Sequence, residues 1–179
     1  QDLRAIDPLI VAMRRGPYDV RRTAARALGK IGNPAVPQLA SLLAAKNASL
    51  RWAAIRTLES IKSHRTIETW IAALAAEYID VRETAARALD EVEGHRVIEA
   101  LISALEDENP DVRRAVAGAL AYRSDLRVMT VLRSAFEAKR LAIIAGATPF
   151  FVKWGEDGTE AVLIKALNEF GNSDTAFVF

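Results

Sequence analysis

His64 and His95 stand 31 residues apart and each is followed by an arginine. Two imidazoles at a repeated interval suggest a metal site, but zinc and non-haem iron need at least a third ligand. Neither histidine has an acidic neighbour to complete a set, so both are expected to be turn residues at helix entrances, with no metal and no cofactor. Glu59, Asp90 and Glu91 fall on one helical face and could serve as acid and base. Arg56 and Arg87 lie three or four positions away, so the spacing predicts ion pairs along the helix instead. There is no cysteine, no Gly-rich phosphate loop and no Gly-x-Ser-x-Gly elbow, so nucleophilic catalysis has no candidate residue.

The most regular charges are Arg21, Arg51, Arg82 and Arg113, each preceded by Val20, Leu50, Val81 or Val112 at intervals of 30, 31 and 31 residues. A period of that length means stacked supersecondary units. In Asp19–Gly32 the apolar residues Val20, Ala24, Ala27, Leu28 and Ile31 form one helical stripe, with Asp19 placed as N-cap and Gly32 as a C-terminal stop. In the later copies Ser49 and Asp80 take the capping position, the latter with Glu83 as a capping box. Upstream of each copy runs a second ladder: Ile6, Leu9, Met13; Val36, Leu39, Leu43; Ile67, Trp70, Leu74; Ile98, Leu101, Leu105. The expected helices are 3–14 and 19–31, 35–45 and 49–62, 65–77 and 80–93, 95–106 and 110–122. A fifth pair follows, its second helix at 139–153 kinked by the interior Pro149, and a last helix runs to about Phe170. Turns are expected at Gly155–Gly158 and Gly171–Asp174, and Thr175–Phe179 reads as an unfinished helix.

Asp-Val-Arg-x-x-Ala-Ala-x-Ala-Leu-Gly-x-Ile-Gly, with a proline-opened helix before it, resembles the short HEAT repeats named after phycobilisome lyases. The resemblance covers residues 1 to about 170 and implies an all-α, right-handed α-α superhelix: a HEAT-repeat solenoid of five helix pairs plus an incomplete sixth. We expect one solenoid over residues 1–179, cut from a longer chain. In such repeats the Arg21 series is implied to be structural, each arginine reaching toward the turn acid of a neighbouring unit. Deoxyhypusine hydroxylase, which is similar in its repeats, holds iron with His-Glu pairs early in the second helices. Here those positions are Arg22-Thr23, Trp52-Ala53, Glu83-Thr84 and Arg114-Ala115, so that motif is absent.

If the second helices line a concave side, the residues opposite their apolar stripe form columns: Arg22, Trp52, Glu83, Arg114, Ala145; then Arg26, Arg56, Arg87, Gly118, Pro149; then Lys30, Ser60, Glu91, Tyr122, Lys153. Arg22, Arg26, Trp52, Arg56, Glu83, Arg87, Arg114 and Tyr122 are the candidate binding residues. Trp52 stands out because its own helix offers it no core, and Trp and Arg are enriched in binding hot spots. The expected function is a non-enzymatic scaffold that binds a peptide or protein surface in this groove. The resemblance also raises a bilin lyase or isomerase, in which Arg26, Arg56 and Arg87 would hold tetrapyrrole propionates and Trp52 or Tyr122 would stack. A third reading is nucleic-acid binding, as in alkylpurine DNA glycosylases of HEAT-like repeats.

With 24 Lys and Arg against 23 Asp and Glu, the chain has no global field for nucleic acid or an anionic membrane. The longest apolar run, Leu141–Val152, is shorter than the roughly 20 residues of a membrane span. It is apolar on all sides, so it is either covered on both faces or left as a patch through which the C-terminal end would self-associate. Lack of cysteine fits cytosol and periplasm alike; the cytoplasm is the default, and a leader before Gln1 would point to the periplasm.

Overall fold

A computed structural model describes residues 3–61, 63–155 and 159–170. Among them the structure is all-α: α1 (Ile6–Arg15), α2 (Tyr18–Ile31), α3 (Val36–Ser41), α4 (Ala48–Ser60), α5 (His64–Ala73), α6 (Ile79–Ala88), α7 (His95–Ala104), α8 (Pro110–Leu120), α9 (Leu126–Glu137), α10 (Leu141–Gly146), α11 (Thr148–Trp154) and α12 (Thr159–Phe170). They fall into two compact units, one ending at Thr84 and the other beginning at Ala85. No helix among the described residues is long and apolar enough to cross a membrane.

In the first unit Ile6, Ile10 and Met13 of α1 and Ala24 and Leu28 of α2 are buried. These are the i, i+4, i+7 positions on which an amphipathic helix must be covered. Leu39, Leu42 and Leu58 complete that core. Val20 departs from its stripe: it is 45% exposed, while its equivalents Leu50, Val81 and Val112 are buried. The expected single helix at 35–45 is a short α3 between two 3-10 turns, Asn33–Ala35 and Leu42–Ala44. Pro34 and Pro37 fall in these first turns and contribute no amide to a continuous ladder.

The caps also differ from expectation. Asn47, not Ser49, caps α4, its side chain accepting from the Leu50 amide at 3.1 Å. Asn109 accepts from the Asp111 and Val112 amides at the head of α8. Asp19, Asp80 and Asp111 lie inside the first turn of their helices, where a carboxylate complements the helix dipole; Asp80 Oδ1 also accepts from the Val81 amide at 3.1 Å. Gly32 ends α2 as expected, at φ +77° with its amide on the Leu28 carbonyl.

In the second unit Leu101, Leu105, Leu120, Leu132 and Ile143 are fully buried. The kink expected at Pro149 is a full break at Ala147, after which Pro149 sits in the first turn of α11. The helix α10 packs on α8, α9 and α12, and Ala142, Ile143, Ile144, Ala145, Ala147 and Phe151 are buried. Those side chains of the apolar run are covered, whereas Val152 at its end is 47% exposed. The Gly155 turn is present, at φ +60°. The turns through Glu156–Gly158 and Gly171–Asp174 and the segment Thr175–Phe179 lie outside the described residues.

Candidate functional site

Arg21, Arg51, Arg82 and Arg113 are each the fourth residue of their helix, yet they are not equivalent. Arg51 donates from Nη1 to the carbonyls of Ala45 and Lys46 at 2.9 and 3.2 Å, and from Nε to both carboxylate oxygens of Asp80 at 3.2 and 3.0 Å. Its guanidinium also lies 3.9 Å from the Tyr78 ring centroid. Arg82 donates to Ala76 and Glu77, and Arg113 to Asp107 and Glu108, again both carbonyls of the preceding turn. These three arginines tie a helix to the turn before it, and in Arg51 the tie reaches the acid of the next repeat.

Arg21 makes no such tie. Its Nε is buried without an acceptor, and its side chain has no hydrogen bond or ion pair among the described residues. The local cause is visible in the chain. The helix α1 stays helical two residues past Met13, whereas α5 and α7 stop one residue before the matching Leu74 and Leu105. Pro17 stands where Asn47, Tyr78 and Asn109 stand later, so only Gly16-Pro17 separates α1 from α2 and no turn of carbonyls forms.

Around the unengaged guanidinium α2 and α4 frame a cavity of about 550 Å³, lined by Tyr18, Arg21, Arg22, Trp52, Arg56 and Asp80 among others. Tyr18 is 71% and Trp52 59% exposed, so both rings are available to a ligand. Asp80 is already held by Arg51, at 2.9 Å from Nη2, which leaves the lining cationic. Among the described residues Arg22 and Arg56 pair with exposed or half-exposed acids on their own helices, Asp19 at 3.7 Å and Glu59 at 2.9 Å. Such surface pairs are worth little and yield readily to a better anion. A shallower depression of about 440 Å³ shares Arg56 with Arg26 and Lys30.

Of the expected site residues, Arg22, Trp52 and Arg56 thus meet in one cavity and Arg26 joins Arg56 in the next. Glu83 and Arg87 lie four positions apart on α6 and line neither. Arg114 is half-buried on α8, 3.8 Å from Asp111. Tyr122, 78% exposed, lines a separate cavity in the second unit. Tyr18 and Arg21 were missed, although Pro17 was a legible signal that the first turn differs.

The histidines do have acidic partners, contrary to expectation. Because α5 and α7 begin at His64 and His95, Glu68 and Glu99 fall one turn on, at 4.0 and 3.2 Å. His95 Nε2 also lies 3.0 Å from Arg127, whose hydrogen bonds to Asp125 lower that carboxyl to about 2. Among the described residues no group of three or more potential ligands is placed to hold a metal. Arg56–Glu59 is the ion pair the spacing predicts. The carboxyl of Asp90 is raised by burial, an effect Arg123 opposes and Glu91 adds to.

The profile describing HEAT repeats matches residues 6–69 and 67–148. The chain belongs to the HEAT-repeat family. Among solved structures, the complex of CpcE and CpcF of phycocyanin lyase from Nostoc sp. PCC7120 is similar over 92% of this chain and 99% of that one, with 22% identity and a TM-score of 0.56. An engineered protein is similar over 92% of this chain and 85% of its own, with 18% identity and a TM-score of 0.50. At these identities the likeness concerns the fold. No curated protein sequence matches significantly. The all-α HEAT-repeat fold expected from the sequence is thereby established.

Proposed function

We propose that this HEAT-repeat chain is a non-enzymatic binding module whose α2–α4 cleft takes a carboxylate-bearing segment of a partner protein. The observation that carries this reading is Arg21: a guanidinium with no partner among the described residues, buried at Nε, beside an exposed Trp52. A buried donor without an acceptor costs stability, and an incoming carboxylate removes that cost while adding charge-assisted bonds. Trp52 and Tyr18 supply the apolar contact that makes an anchor. Peptide display on the immobilised chain should enrich sequences with Asp or Glu beside an apolar residue. Their affinity should fall at least tenfold in Arg21→Ala and in Trp52→Ala. Enrichment of neutral or basic peptides, or indifference to both substitutions, would overturn the proposal.

A second reading is favoured by the likeness to a phycocyanin lyase complex. An open-chain tetrapyrrole would stack on Trp52 and place its propionates on Arg26 and Arg56. Mixing with free phycocyanobilin decides it, since a bilin site shifts the pigment's absorbance and a peptide cleft leaves it unchanged.

A further inference from the structure

The second unit carries a cavity of a different kind. It measures about 330 Å³ and lies among the end of α8, α9 and α11, walled by Tyr122, Met129, Phe150 and Trp154 with Arg133 and Lys153 at hand. None of its lining residues is acidic. Arg123 also lines it, and its guanidinium donates to four main-chain carbonyls, those of Ala119, Val92, Leu89 and Asp90, at 2.7–2.9 Å. Those acceptors satisfy its hydrogen bonds, and its charge acts on the Asp90 carboxyl, so the cations open to a ligand here are Arg133 and Lys153.

The rings are ordered by one another. Phe150 stacks on Trp154 at 6.4 Å and 30°, and the Arg133 guanidinium lies 5.2 Å from the indole centroid. Yet the Trp154 Nε1 is buried with no acceptor among the described residues, although a buried indole N–H ordinarily has one. Arg133 and Lys153 are exposed and hold no carboxylate among the described residues. Flat apolar walls, the exposed charges of Arg133 and Lys153 and a buried indole donor together describe a ligand that is planar, aromatic and anionic. The volume suits one or two fused rings and falls within the range of small-molecule sites.

We propose that this cavity binds a small planar aromatic carboxylate, its ring against Phe150 and Trp154 and its carboxylate on Arg133 and Lys153. The site is independent of the Trp52 cleft, because none of its residues belongs to the first unit. Naphthoate titrated into the full chain, followed by calorimetry and by the indole N–H resonances of the three tryptophans, tests it. The expected result is saturable binding that shifts the resonance lost in Trp154→Phe, with affinity reduced at least tenfold in Arg133→Ala/Lys153→Ala and unchanged in Trp52→Ala. Naphthylmethylammonium, of the same shape and opposite charge, should not bind. The proposal is overturned if the cation binds as well as the anion, if the double variant binds normally, if Trp52 alone responds, or if nothing saturates. Both substituted cations are exposed, so retained helicity and melting in the double variant separate loss of the site from loss of the fold.

Discussion

Replacing Arg51 and Arg21 one at a time compares two arginines at the same helix position, one tied into the fold and the other not. Arg51 is only 8% exposed and makes two carbonyl bonds and a two-oxygen contact with Asp80. Hydrogen bonds that involve a charged group contribute about 1.5–3 kcal/mol each. Asp80 is 45% exposed at its side chain, so water recovers part of that interaction when the arginine goes. Arg51→Ala should therefore cost about 2–4 kcal/mol in all, most of it from the two abandoned carbonyls and the lost packing of the stem. For a chain of this size 1 kcal/mol lowers Tm by about 2–4 °C, so a loss near the middle of that range is about 6–12 °C. Arg21→Met keeps the stem and removes only a donor that had no acceptor; it should be neutral within about 0.5 kcal/mol, or slightly stabilising. Circular dichroism melts and urea midpoints read both variants. Equal destabilisation by the two would refute the reasoning, since Arg21 would then be doing the same work as Arg51. So would a stable Arg51→Ala.

Gly146 is required by close approach: a Cβ there would collide with the Arg114 carbonyl and touch the Ala117 side chain. Gly146→Ala should push α10 off α8 and cost about 1–3 kcal/mol or more, read as a lower melting temperature. Asp125 has a folded pKa of about 2 against an ordinary 3.8, chiefly through its side-chain bond to Arg127. Because the folded value is the lower one, its contribution is complete above 3.8 and is lost as pH falls through about 2. The stability difference between wild type and Asp125→Asn should accordingly shrink across that window, and urea midpoints along the pH series check it. Arg26, Arg56 and Arg87 are all exposed. Reversing all three to Glu should leave the melt unchanged and weaken peptide binding, whereas reversing Arg51 and Arg82 should lower the melt.

The repeat was legible because a covered helix stripe must recur at helical spacing, and Met13, Leu39, Leu58, Leu101 and Leu105 are buried as that rule requires. Caps were less legible. An Asp followed by Val-Arg fits an N-cap equally well as a first-turn acid, and only the backbone places the cap at Asn47 and Asn109. The break at Ala147 was half legible: Pro149 forbids a continuous helix, but nothing local says whether the chain bends or restarts. Of the site, exposure was readable and assembly was not. Arg22, Trp52 and Arg56 could be assigned to one face, but which of them meet depends on how α2 packs on α4. The acid partners of His64 and His95 were overlooked although Glu68 and Glu99 stand one turn away, because the histidines were read as turn residues and not as the first residues of α5 and α7.

Two arginines show why residue type at a repeat position does not decide its role. Arg123 takes the place that Ile31 holds in the first repeat, where a cation would ordinarily be costly, and there its donors meet carbonyls left at the end of the previous second helix. Arg21 sits at a position where its equivalents are structural, and the Gly16-Pro17 link withholds the carbonyls that would make it so. What differs is the supply of acceptors within reach, and that supply is set by where the neighbouring helix ends. On the function proposed above, altering one turn frees a side chain already present in the later repeats and makes it available to a ligand. On that argument, giving the first turn its missing carbonyls, for instance by replacing Gly16-Pro17 with the Lys-Asn found at Lys46-Asn47, should engage Arg21, raise stability and cost the cleft its affinity together. If affinity survived that exchange, the free guanidinium would not be what the ligand reads.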